Sequence, residues 1–225
     1  MANSSRTAVG DVGRVTLFVA LLIFVPAWSL DYWEAWQYLL LFAATMGLLK
    51  WYLVRHDPAL AERRRGTGPK FETERSQQII QSFGGALICA IFITSGIEHR
   101  VHGSVISPAA VLVANGFLLA SMYIVFYTFR ENSFAASTVR IEAEQPVIST
   151  GPYAWVRHPM YFGCVIGFLA TPIALGSLWG LAAAALKCVT LGFRLLYEEE
   201  FLVRSLPGYD AYLAKVRWRL VPFVW

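Results

Sequence analysis

The chain has 225 residues, 56% hydrophobic and only 15% charged, where soluble domains carry about 25% charged residues; its mean hydropathy is +0.50. An ordinary soluble globular domain is excluded, and the expected class is an all-α, polytopic membrane helical bundle of five to six spans. The net charge of +4 does not argue for nucleic acid as a partner, because the basic residues are scattered over loops between apolar runs, where they orient a chain in a lipid bilayer.

Residues 1–12 are polar, and the first span is expected from about Gly13 to Leu30, with Pro26 near its end. That run ends in Trp-Ser-Leu-Asp-Tyr-Trp and not in a small-residue cleavage site, so it reads as a retained span. Tyr32, Trp33 and Trp36 suit an interfacial aromatic belt. The second span is expected over Trp33 to Val54. Arg55 to Gln78 is a long hydrophilic loop holding Arg55, Arg63, Arg64, Arg65, Lys70 and Arg75. The third and fourth spans follow, over Ile79 to Ile97 and Ala109 to Phe129, and the short loop between them carries Arg100 alone as a fixed cation.

Arg130 to Thr150 is a second long polar loop. After it come a short apolar segment, Tyr161 to Leu175, broken by Thr171-Pro172 and Gly176, and a sixth, Leu178 to Leu196; the two read as a tight helical hairpin. The tail from Tyr197 to Trp225 is amphipathic and expected outside the bilayer core. One membrane domain is expected over 1–225, with four N-terminal spans in 13–130 and a motif-bearing region in 131–225. Lys and Arg concentrate at the N-terminus, after spans two and four, and in the tail, so both termini are expected to be cytoplasmic.

Three cysteines, Cys89, Cys164 and Cys188, lie inside apolar runs without a CxxC spacing and read as small buried hydrophobes. Glu98-His99-Arg100-Val101-His102 has a ligand-like look, but it falls in the short loop away from the other polar groups. No metal site is expected.

The run Gly151-Pro152-Tyr153-Ala154-Trp155-Val156-Arg157-His158-Pro159-Met160-Tyr161-Phe162-Gly163 concentrates prolines, glycines, aromatics, an arginine and a histidine between apolar segments. Pro152 and Pro159 bar the α region for the residues before them, so a shaped polar loop leading into a membrane helix is expected. In the sixth span Lys187, Arg194 and Glu198 fall within about 40° of one another at 100° per residue, hence on one helix face. Ionisable groups within a span usually face a protein interior or a wet cavity. Aromatic rings beside a carboxylate suit a ligand that is both cationic and aromatic: the rings attract a sulfonium or stack on a purine, and Glu198 accepts hydrogen bonds from hydroxyl or amino groups. Gly163 and Gly167 have the spacing of close helix packing. Tyr209 and Tyr212, with Arg217 and Arg219, either cap this site or anchor the tail at the interface.

The run GPYAWVRHPMYFG, followed by FRLLYEEEFL and then GYDAYLAKVRWRLVPFVW, closely resembles the isoprenylcysteine carboxyl methyltransferase family, which is akin to the phospholipid N-methyltransferases. The resemblance covers about residues 130 to 225. It implies methyl transfer from S-adenosyl-L-methionine to a lipophilic or small acceptor, a carboxylate, amine or thiol, at the membrane interface. It also implies that Tyr153, His158, Pro159, Met160, Tyr161 and Glu198 line the cofactor pocket. Gln145, Pro146, Val147 and Ile148 would supply backbone contacts, Glu199 would be the second acid of a paired set, and Arg194 would be the catalytic residue facing the acceptor. The tail around Leu206-Pro207-Gly208-Tyr209 is shorter than in the eukaryotic carboxyl methyltransferases. The membrane would be the inner membrane of a bacterial cell or the endoplasmic reticulum of a eukaryotic one. No GxGxxG follows a strand-like run, so the soluble dinucleotide-fold type of methyltransferase is not expected. The alternative is an NADPH-dependent reductase of the sterol reductase type, which shares an HPxYxG-like run and a tyrosine-rich tail.

Overall fold

A computed structural model describes residues 2–66, 68–136, 138 and 145–225, with side chains from residue 10 onward. Among the described residues eight α-helices follow one another: α1 (Ala2–Ala27), α2 (Trp33–His56), α3 (Pro58–Arg63), α4 (Arg75–His102), α5 (Pro108–Glu131), α6 (Pro159–Ala174), α7 (Gly180–Ser205) and α8 (Tyr209–Lys215). Five of them, α1, α2, α4, α5 and α7, are long and apolar enough to cross a membrane. α6 has 16 residues, about 24 Å at 1.5 Å per residue, slightly less than the bilayer core.

The helix starts follow from capping chemistry. Ser107 accepts a hydrogen bond from Ala110 N at 3.3 Å, with Pro108 in the first turn of α5, and Asp57 does the same for α3, accepting from Leu60 N at 2.9 Å ahead of Pro58. α6 starts at Pro159, as the proline-bounded loop predicts. α7 runs nine residues past the Leu196 expected for the sixth span, to Ser205, so the acidic run Glu198 to Glu200 is helical and not tail. α1 likewise begins well before Gly13.

Leu17, Phe18, Leu21, Leu40, Leu48, Leu112, Val113, Phe117, Leu186, Val189 and Phe193 point outward and are exposed. Large apolar side chains covering the outside of a bundle are what a lipid solvent requires, since lipid chains replace the core as their partner. Where helices approach most closely, glycine makes the room. A Cβ at Gly96 on α4 would meet Ile23 O on α1 at 2.4 Å, and one at Gly167 on α6 would meet Ser121 Oγ on α5 at 2.7 Å. Ser121 Oγ also donates to Gly163 O at 2.8 Å, so the Gly163/Gly167 face packs on a helix of the same chain.

The two ends of the bundle differ in character. At one end, buried Glu98 accepts from Leu178 N and Trp179 N, both at 2.8 Å, and from Ser177 Oγ at 2.6 Å. It caps the start of α7, where free N–H groups favour a negative charge. His99 is stacked on Tyr32 with ring centroids 3.7 Å apart, and Tyr32 Oη donates to Leu175 O at 2.6 Å. At the other end the loop after α2, the loop after α5 and the tail gather together. Arg63 Nη1 donates to Ser133 O at 3.0 Å, Arg64 Nη1 to Ala135 O at 2.7 Å, and Arg157 N to Trp218 O at 2.9 Å.

Candidate active site

The motif loop is held in shape from three directions. Gly151 opens it at φ +57°, with Glu131 so close that a Cβ there would meet the carboxyl carbon at 2.8 Å. A short 3-10 turn over Gly151–Ala154 follows. The chain then runs extended beside the tail: Arg157 N and His158 N donate to Trp218 O and Arg219 O at 2.9 and 3.0 Å. Asn132 Nδ2 donates to Tyr153 Oη at 2.9 Å, and Tyr212 Oη donates to Tyr153 O at 2.8 Å.

These contacts enclose a pocket. Gln145, Pro146, Val147, Ile148, Tyr153, His158, Pro159, Met160, Tyr161 and Glu198 all line it, together with Asn132, Phe134, Arg157, Leu202, Leu206, Tyr209 and Tyr212. Loop, helix and tail thus converge on one space. Tyr161 Oη donates to Glu198 Oε2, fixing the carboxylate at the pocket wall. The Tyr209 hydroxyl is buried there and has no hydrogen-bond partner among the described residues. Burial pushes the phenols of Tyr153, Tyr209 and Tyr212 above their ordinary value of 10; the Glu198 charge adds to this at Tyr153, and the Glu199 and Glu198 charges add to it at Tyr209.

Glu199 is the correction. It does not line the pocket but is turned away from it: at 100° per residue, neighbouring acids on a helix cannot share a face. Its Oε1 accepts from Arg219 Nε at 2.9 Å and lies 3.4 Å from Arg157 Nη1, while its Oε2 lies 3.5 Å from His158 Nε2. Glu199 ties the motif loop and the tail to α7. Trp155 is also outside the pocket, with 73% of its surface exposed.

Arg194, buried, lines a second cavity with Arg64, Gln81, Met160, Tyr161, Lys187, Leu191 and Glu198. Lys187, Arg194 and Glu198 therefore do share the face that helical phase predicts. Arg194 Nη2 donates to Glu72 Oε1 at 2.8 Å and Nη1 to Gln77 Oε1 at 3.2 Å. Gln81 Nε2 also donates to Glu72, at 2.8 Å. The buried Glu72 was not legible in sequence: it stands in a loop read only for its basic residues, and its partner lies 122 positions away. Arg64 and Gln81 carried no local signal either. The two cavities share Ala136, Thr138, Met160, Tyr161 and Glu198.

Residues 109–207 match the phospholipid methyltransferase family. The whole chain has a fold similar to a solved eukaryotic intramembrane Ras methyltransferase, an isoprenylcysteine carboxyl methyltransferase. The TM-score is 0.54 at 14% identity, with 100% of this chain and 87% of that chain covered. Comparison with curated protein sequences finds no match. The segment that supplies the motif loop, α6 and the acidic face of α7 thus matches the phospholipid methyltransferase family, and the chain has the polytopic, all-helical fold of the isoprenylcysteine carboxyl methyltransferase it resembles.

Proposed function

We propose that this membrane methyltransferase takes its methyl group from S-adenosylmethionine held in the loop–tail pocket and passes it to an acceptor lying in the second cavity. The observation that carries this reading is the wall the two cavities share, made by Met160, Tyr161 and Glu198.

The donor set suits such a cofactor. Glu198, steadied by Tyr161, would accept hydrogen bonds from ribose hydroxyls or an amino group. The unpartnered Tyr209 hydroxyl is a buried polar atom for which a nucleoside would supply the missing partner. Tyr153 and Tyr161 bring aromatic rings to the wall, of the kind that attracts a cation, and residues 145–148 complete the lining. When bound, the sulfonium supplies an activated methyl group that leaves a neutral sulfide behind. The protein's contribution is to hold two partners in line, which supplies up to roughly 7–11 kcal/mol in well-oriented cases. Arg194 faces the acceptor side and is kept in place by Glu72. No side chain is assigned as general base. The pocket, the loop after α2 and the C-terminal tail are assigned to the cytoplasmic face, where the basic residues concentrate.

Calorimetry on detergent-purified protein tests the cofactor. S-adenosylhomocysteine is expected to bind and NADPH not to, and Glu198→Ala should weaken the former at least ~10-fold, the loss of a charged hydrogen bond. Binding of NADPH without S-adenosylhomocysteine would replace this reading with a membrane reductase.

A further inference from the structure

The geometry of the second cavity points to an anion subsite, in which Lys187 and Arg64 hold a phosphate or carboxylate group of the acceptor. This deepens the methyl-transfer reading above and rests on it for the identity of the bound molecule as acceptor.

Lys187 lies on α7, about 10 Å along the helix axis from Arg194 and deeper within the span. A lysine placed there for solubility would reach outward to the bilayer surface. This one turns inward. Its Nζ lies so close to Gly84 on α4 that a Cβ there would stand 2.6 Å away, and it sits 5.3 Å from the Phe168 ring centroid on α6. The notch at Gly84 makes room for the ammonium. Among the described residues, no carboxylate pairs with Lys187 or with Arg64. Arg64 is engaged by Ala135 O and by the face of Phe129, 4.2 Å from its guanidinium carbon. Arg194, by contrast, is matched by Glu72. Among the described residues Glu198 is the one acid on the wall, so with Arg194 matched by Glu72 the described lining carries more positive than negative charge. A half-buried cation turned into a cavity without a counter-charge gives up hydration that nothing replaces, so a negative group on the occupant is the natural complement.

Detergent-purified full-length protein should bind dioleoylphosphatidylglycerol more tightly than dioleoylglycerol, which has the same tails and no charge, and oleate more tightly than oleyl alcohol. Lys187→Gln should weaken the anionic lipid about 10-fold and leave dioleoylglycerol unchanged, while Lys187→Arg retains binding. Inorganic phosphate binding that depends on Lys187, with no preference among the lipids, would assign the same subsite to a free anion. Gly84→Ala gives a second route, since its methyl group displaces the ammonium while keeping the charge; it too should weaken the anion. Equal affinities for every anionic probe, within twofold, in wild type, Lys187→Gln and Gly84→Ala would overturn the proposal. S-adenosylhomocysteine affinity measured on the same samples separates this failure from failure of the cofactor reading, because these substitutions lie outside the cofactor pocket.

Discussion

Two neighbouring acids on α7 do different work. Glu198 faces the shared wall and Tyr161, while Glu199 faces Arg157, His158 and Arg219. Glu198→Gln should therefore reduce cofactor affinity with little change in melting temperature. Glu199→Gln should lower stability by about 1–3 kcal/mol, the cost of leaving buried donors under-satisfied, as read from thermal unfolding in detergent. Equal effects of the two on stability would contradict this division. The sequence made both acids conspicuous, and helical phase says they diverge. Which of them meets the pocket depends on where the tail lies, and no local pattern carries that. The buried phenols make a second statement at this scale. Tyr153, Tyr209 and Tyr212 titrate above 10 in the fold and near 10 when unfolded. Their contribution to stability is complete below pH 10 and is lost as pH rises through the higher folded values. Melting temperature should accordingly show no phenol-linked decline from pH 7 to 9 and should fall above 10.

The spans were legible as elements because length and hydropathy are local properties, and their caps are written in short runs such as Ser107-Pro108 and Asp57-Pro58. The far end of α7 was not, because a helix can carry charged residues out of the bilayer core without breaking, and Tyr197 to Ser205 contains no proline or glycine to stop it. How closely the elements pack is set by glycine. Gly96→Val should destabilise the α1–α4 contact by about 1–3 kcal/mol, since even the first added carbon meets a carbonyl oxygen at 2.4 Å. Gly116→Ala, with nothing within 4 Å, should be neutral or slightly stabilising. Thermal unfolding of the two variants side by side checks the contrast.

For the whole molecule, the polar loops and the tail meet at one end of the bundle, and the Glu98 cap and Tyr32–His99 stack occupy the other. Single cysteines introduced at Arg65 and Lys215 should react with an impermeant thiol reagent from the same side of intact vesicles, and one at Arg100 from the opposite side. Labelling of all three from one side would invalidate the proposed topology. That Met160, Tyr161 and Glu198 line both cavities bears on stereochemistry as well. Where donor and acceptor meet directly beside these residues, the carbon is attacked from behind once, so a methyl made chiral with hydrogen isotopes should arrive inverted. Retention would mean two displacements, with a side chain of the protein serving as temporary carrier.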